Sequence, residues 1–316
     1  MRSNGELLKK ADLVLSDIAS AGVLNPEQSD QFIQGLIDSP TLLNSCRVVG
    51  MTSPVQDINK IGLGSRIMRA AVENTALAEG DRSKPSFSKV TLTAKEVMAE
   101  IDIPYAVMED NIERALAATN DDPNAARGGL HSTIVNLIGA RAALDLEELA
   151  LLGDTSNGAD AYLALFNGWL KLASVNGHTV DLSNATISKN MFKLGVQAMP
   201  DKYLRYRLAM AHYISVDQET EYRDQLSDRG TNLGDQMTTG LNPVYAFGSR
   251  VLSASMMPNS KGLFCNPLNL IFGIHRDISM EFDKDIRTRQ YIIVLTTRVA
   301  VEIEEADAVV YYTNLG

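Results

Sequence analysis

The residues best suited to chemistry in this chain are four histidines, two cysteines and one run of carboxylates. His131, His178, His212 and His275 are widely separated, and none lies within a helical turn of another or of a cysteine. A metal site on one element needs ligands that close together, so the spacing offers none. Cys46 and Cys265 have no short spacing either. They read as reduced, buried thiols rather than as a disulfide framework or a zinc site. In "VEIEEAD", Glu302 and Glu304 fall on one strand face, which is ordinarily a solvated face or a partner for cations. "GLGS", Gly62 to Ser65, resembles a scrap of a phosphate loop. It lacks a Gly-Lys-Ser/Thr ending and does not lead from a buried strand into a helix, so it reads as a flexible hairpin. His131 reads as a capping or interface residue near a helix start, and Trp169, the single tryptophan, as packing. No nucleophile elbow and no Ser/His/Asp order is visible. These residues point to no enzyme, no cofactor and no metal.

Composition narrows the class further. The chain has 316 residues, 29 Lys and Arg against 39 Asp and Glu, and a formal net charge of −10. An acidic chain is poorly suited to wrapping DNA tightly, because phosphate binding needs a basic surface. Loose contact through one local face remains open. The N-terminus carries no apolar signal region, and no apolar run approaches the roughly 20 residues of a membrane helix. A soluble protein made in a cytoplasm is expected.

The elements follow from periodicity. Leu7, Leu8, Ala11, Leu15 and Ile18 recur at helical spacing. "PEQSDQFIQGLIDSP" offers a second short helix, with Asn25 as N-cap, Pro26 in its first turn and Pro40 closing it. Two short helices cannot bury a core of their own, so this arm must lie on something else. "FSKVTLTAKEVMAEIDIP", Phe87 to Pro104, alternates as a strand does. Val90, Leu92 and Ala94 share one face, and the apolar phase then flips to Val97, Ala99, Ile101 and Ile103. Strands average about 5–6 residues, so this segment is unusually long. With the looser alternation from Val55, it predicts a two-stranded hairpin with a long polar tip, stabilised from outside its own subunit.

Leu130, Leu137, Leu144 and Leu151 lie one heptad apart and predict a long helix with a one-sided apolar stripe, ended by Gly153 at C′. The middle of the chain mixes helices with a buried strand, "LAMAHYISV". "ISMEFDKD", "TRQYIIVLTTRVAVEIEE" and "AVVYYT" then alternate strongly as strands. The expected class is α+β, one long helix against an antiparallel sheet with an inserted α/β region.

The order of these parts (arm, long charged hairpin, long helix, inserted region, strand-rich end) resembles the major capsid protein family of tailed bacteriophages, whose fold also occurs in herpesvirus shells and encapsulins. "FSKVTLTAKEVMAEIDIPYAVMED" looks like that family's second hairpin strand and its exit. "AMPDKYLRYRLAMAHYISVDQETEYRDQLSDRGTNLGDQMTTG" with "VYAFGSRVLSASMMP" looks like its run of helix, strand, helix, glycine, strand and Met-Pro turn. "GLFCNPLNLIFGIHRDISMEFDKDIRTRQYIIVLTTRVAVEIEEADAVVYYT" looks like its closing strands.

The resemblance implies an N-terminal arm over 1–54, an extended loop over 55–104, a peripheral domain of 105–153 and 276–316 with the spine helix, and an axial domain over 154–275. It implies self-assembly into pentamers and hexamers of an icosahedral shell around double-stranded DNA, in a virion assembled in the host cytoplasm. Candidate contacts between subunits are Lys60, Arg66, Arg69, Lys84, Lys89, Lys95 and Glu96. Implied partners are further copies of the chain, a separate scaffolding protein, a portal, a possible decoration protein and non-specific contact with packaged DNA, with no membrane. About 50 residues precede the hairpin, with no long scaffolding segment, so the resemblance implies a separate scaffolding protein or a segment already removed, and the start at Met1 favours the first. Some members weld subunits through a Lys–Asn bond. Lys84, Lys89 and Asn314 would be the residues to consider, although no catalytic Glu matches them. An encapsulin-like compartment shell is the alternative, disfavoured by the extended arm, and an α+β enzyme is a third reading.

Overall fold

The computed structural model describes residues 42–62, 68, 70, 85–104, 130–228 and 243–316. The two predicted arm helices and the hairpin tip lie outside these residues. The described strands form three sheets. The two-stranded one pairs β2 (Val55–Gly62) with β3 (Ser86–Thr93). The four-stranded one contains β1 (Arg47–Gly50), β4 (Lys95–Pro104), β10 (Leu270–Asp285) and β11 (Gln290–Ile303), in the order β1-β10-β11-β4. The six-stranded one contains β5 (His178–Ala185), β6 (Ala211–Ile214), β7 (Val244–Ala246), β8 (Ser249–Ser253), β9 (Lys261–Cys265) and β12 (Val309–Leu315). Its order is β5-β12-β9-β6-β8-β7.

The long segment from 86 to 104 is two strands on one extended run of chain. At Ala94 the backbone turns a corner, its N–H donating to the Pro54 carbonyl at 2.8 Å. Before the corner the partner is β2, and after it β4 pairs antiparallel with β11 from Lys95↔Val299 to Pro104↔Gln290. The phase flip in the sequence is this change of sheet. The two-stranded sheet is therefore β2 with β3 alone, and β4, within the span expected for the extended loop, is laddered to the four-stranded sheet.

The long helix α1 (Leu130–Leu152) forms where expected. Leu144 and Leu151 are buried, as the stripe requires, but the last two turns also bury Leu146, Glu147, Leu149 and Ala150. The burial is wider than a one-sided stripe because the chain before β1 and α2 (Trp169–Asn176) pack round this end. The Gly153 N–H donates the helix-ending bond to Leu149 O, yet the residue has no positive φ. Its glycine is required by space, since a Cβ there would stand 2.5 Å from Phe166 O.

Two cores share the six-stranded sheet. Strand alternation sends Ala211 and Tyr213 to one face, where Trp169, Leu263, Val309 and the end of α1 join them. Ile214, Phe264, Val310 and Tyr312 point to the other face. There α3 (Lys189–Ala198) supplies Phe192, and α5 (Val216–Ser227) supplies Tyr222. A short helix, α4 (Asp201–Leu204), lies between them in sequence. The strand "AVVYYT" belongs here rather than with the other C-terminal strands. β12 lies between β5 and β9 and buries Val309, Val310, Tyr311 and Tyr312, both faces at once.

Candidate intersubunit surface

The hairpin β2–β3 has two unlike faces. Strand register puts Gln56↔Leu92, Ile58↔Val90 and Lys60↔Ser88 on one face. Leu92 is fully buried against Met51, Ile271 and Ala300, and Ile58 packs on the same small cluster. A Cβ on Gly273 would stand 2.8 Å from Met51 Sδ, so that glycine lets the hairpin base settle on the sheet. Lys60 Nζ completes this inner face, donating to Glu304 O at 2.5 Å and to Glu305 Oε2 at 3.3 Å.

The outer face carries Val55, Asp57, Asn59 and Ile61 opposite Thr93, Thr91, Lys89 and Phe87. All are exposed. Asp57 accepts from Lys89 at 2.8 Å and Thr91 at 2.6 Å, and these bonds hold its carboxyl below the usual range. Beyond that polar cluster lies an apolar pair, Ile61 at 71% and Phe87 at 73% exposure. Aromatic and β-branched side chains opposite each other normally stabilise a sheet by excluding water between them. Here nothing among the described residues covers the pair.

The predicted contact residues separate accordingly. Lys60 and Lys89 are held within the chain, and Glu96 pairs with Arg298 at 2.8 Å across β4 and β11. Lys95 is exposed and has no ion pair among the described residues. Arg66, Arg69 and Lys84 lie outside the described residues. Asn314 Nδ2 donates to Asp181 at 3.0 Å in the six-stranded sheet. Between α1 and the edge strand β4 runs a groove of about 310 Å³, lined by Val97, Ala99, Ala142, Leu146 and Leu295, with Asp145 and Glu148 at its side.

One residue of this surface escapes the sequence reading. Glu147 is fully buried, and its Oε2 accepts from the backbone N–H groups of Leu42 and Leu43 at 3.1 and 3.3 Å. It fixes the chain at Leu42 and Leu43, just before Arg47 pairs with Glu304 and β1 adds in parallel to β10. A signal for it exists. Glu147 stands three residues after Leu144 and four before Leu151, a carboxylate on the apolar stripe itself.

The residues singled out for chemistry are dispersed. His212 is buried, shares a 3.0 Å hydrogen bond through Nδ1 with Tyr312 Oη and stacks on Phe264 at 4.1 Å. Burial alone lowers its pKa to about 3. Burial likewise pushes the Cys46 and Cys265 thiols up to about 12. Trp169 is buried, with Nε1 donating to Glu302 O. His178 lies 3.7 Å from Asp307, and the side chain of His131 lies outside the described residues. Among the described residues no three His, Cys, Asp or Glu gather as metal ligands, and no helix is long and apolar enough to cross a membrane.

No family model matches the chain. A protein of Bacillus subtilis (strain 168) named as a prophage capsid protein, YqbE, is 40% identical over 318 residues, covering 97% of each chain. The fold is similar to a chain of the satellite phage P4 procapsid that includes the size determination (Sid) protein. That match has TM-score 0.61, 13% identity and 95% coverage of both chains. It is similar also to a chain in the capsid of a native GTA particle, with TM-score 0.62 and 15% identity over 93% of this chain and 99% of that one. A chain of Mycobacterium phage Cain matches at TM-score 0.57 and 15% identity over 96% and 98%. By its near full-length identity to a prophage capsid protein and by this shared fold, the chain belongs to the major capsid protein family of tailed bacteriophages.

Proposed function

We propose that this chain is the repeating subunit of an icosahedral shell, built from pentamers and hexamers, that encloses double-stranded DNA. The observation that carries the reading is the uncovered outer face of the hairpin, where Ile61 and Phe87 form an exposed apolar pair. Left in isolation the pair stays in water, whereas a neighbour laid across it would remove it from water. Residues 1–54 act as the arm, and 55–93 is the part of the loop 55–104 that reaches the neighbour. Residues 105–153 and 276–308 form the peripheral unit, and 154–275 together with β12 form the axial unit. Lys95 offers a charge to the neighbour, and Arg66, Arg69 and Lys84 are the further contact candidates on the loop. The acidic chain makes only weak, salt-sensitive contact with packaged DNA. A separate scaffolding protein, a portal and a decoration protein complete the particle, which assembles in the host cytoplasm and ends as a virion.

The test is to replace Phe87 with Asp in the full chain and image the purified product by electron microscopy. Shells should be lost while the subunit still melts as the parent does. Complete shells in normal yield would sink the assignment of the outer hairpin face to a neighbouring subunit.

A further inference from the structure

The six-stranded sheet is covered unevenly. Its Phe192 face is roofed by α3 and α5 along the whole width, down to Val251 of β8 and Val244 of β7, both buried. Among the described residues, the opposite face is covered by α2 and the large core only as far as β6. Register puts Arg250 beside Ala211, Leu252 beside Tyr213, and Tyr245 opposite Arg250, so these three share that second face. Tyr245 is 51% and Leu252 37% exposed, and Arg250 is exposed as well.

The turn joining β7 to β8 extends this patch. Phe247 and Gly248 both have positive φ, 48° and 87°, the two-residue turn in which Asn-Gly is favoured. A phenylalanine in the left-handed region is costly and does not serve the turn. Its ring is nevertheless held out, 46% exposed. The exposed Arg207 reaches the same corner, its guanidinium 3.2 Å from where a Cβ on Gly248 would lie. Neither Arg207 nor Arg250 has an ion pair among the described residues.

The other side of this layer is the electrostatic complement. Asp217, Glu221, Asp224 and Asp228 follow one another at spacings of four, three and four, which makes a single stripe along α5 and its C-terminal turn. All four are exposed, while Gln218, Tyr222 and Leu226 of the same helix turn inward. Asp217 accepts from Asn259 at 2.7 Å. Glu221, Asp224 and Asp228 have no ion pair among the described residues. One layer thus carries an apolar patch rimmed by arginines on one face and carboxylates on the other. Unlike faces that fit each other make a head-to-tail contact, and head-to-tail contacts that close make rings.

We propose that the open face of β7 and β8, formed by Tyr245, Phe247 and Leu252 and flanked by Arg207 and Arg250, docks on the carboxylate stripe of α5 in a second copy of this chain. The inference rests on the shell-subunit reading and names the surfaces through which subunits meet in a ring. The test compares the purified full chain with Phe247→Asn, Arg250→Glu and the swap Arg250→Glu with Asp224→Arg. Subunit melting and association by sedimentation velocity are measured together. Phe247→Asn suits the turn better, so it should melt no lower than the parent while associating about tenfold more weakly. Arg250→Glu should weaken association by a similar factor, and the swap should recover most of it. If the parent forms rings or shells and both single variants do so equally well, this docking is overturned while the shell reading stands. If the parent forms no closed assembly at any concentration, the shell reading falls and the inference falls with it.

Discussion

Phe192 and Phe87 are the same side chain in opposite circumstances. Phe192, on α3, is fully buried, 4.9 Å from His212 and 4.7 Å from Tyr222 between ring centroids. Phe87, on the outer hairpin face, is 73% exposed. The first lies in a layer sealed from water by its own helices and sheet. Gly195 of α3 passes so close to Tyr312 that a Cβ would overlap the phenol oxygen. The second lies on two strands whose inner face alone is held, through Leu92, Ile58 and Lys60. On the proposed reading, subunit stability and assembly draw on separate residues. One region should respond to mutation as a closed core does, and the other only when a neighbour is present.

The largest effect tests the closed region. Phe192→Ala should cost about 3–5 kcal/mol, through lost burial and a cavity that the surrounding rings cannot collapse into. Denaturant unfolding of the subunit measures it. A loss below about 1 kcal/mol would mean that α3 is not locked onto the sheet as the ring contacts indicate.

An intermediate effect comes from pH. His212 is neutral in the folded subunit, with a pKa lowered to about 3 by burial against the ordinary 6.5 of an unfolded histidine. Below 6.5 the unfolded chain therefore takes up a proton that the folded subunit refuses. Stability is full above pH 6.5 and falls as pH drops, by about 1.4 kcal/mol per unit until the folded value is reached. Between pH 6.5 and 5 this amounts to about 2 kcal/mol. Asp57, Asp154, Asp181 and Asp285, whose carboxyls are held low by hydrogen bonds, also lose stability on acidification, but only at lower pH. Their contribution is present above the ordinary carboxylate range and is lost below it. The fall in stability from 6.5 to 5 is thus assigned to His212, and Glu302, whose carboxyl is raised by burial, opposes it at the acid end. Replacing it by Asn should flatten the slope there, at the expense of stability at neutral pH. An unchanged slope would remove His212 as the cause.

Much of this contrast is legible in the amino-acid sequence, and the reasons for what is not are physical. The alternation of Val90 and Leu92 against Lys89 and Thr91 correctly separates the hairpin's inner and outer faces, because side-chain direction along a strand is local. The sheet change at Ala94 is not local. The sequence shows the phase flip there, but the choice of β11 as the next partner depends on residues some 200 positions away. β12 is legible as a strand from "AVVYYT", whereas its place between β5 and β9 is a tertiary outcome. Charges divide in the same way. Lys60, Lys89 and Glu96 are candidates for contact between subunits, and each also has a partner within the chain that spacing alone could not supply. Glu147 is the reverse case, a carboxyl whose position on an apolar stripe marks it as buried and whose partners, the backbone N–H groups of Leu42 and Leu43, only the fold reveals.

The smallest expected effect is the most discriminating. Phe87→Ala removes a ring that water already surrounds over most of its surface, so little burial is lost and no cavity forms. Its cross-strand partner Ile61 is itself exposed, which leaves the pair worth at most about 0.2–1 kcal/mol to the hairpin. The inner face, with Leu92 and Lys60, is untouched. Unfolding of the isolated subunit should therefore shift by no more than about 0.5 kcal/mol, within the range of ordinary surface substitutions. In a shell the same substitution would recur in every subunit, so shell stability should fall even though the subunit does not notice. The two measurements belong on one preparation, subunit unfolding and disassembly of shells by denaturant. If Phe87→Ala lowers subunit stability as Phe192→Ala does, the hairpin is part of the closed core and the division between the two regions fails.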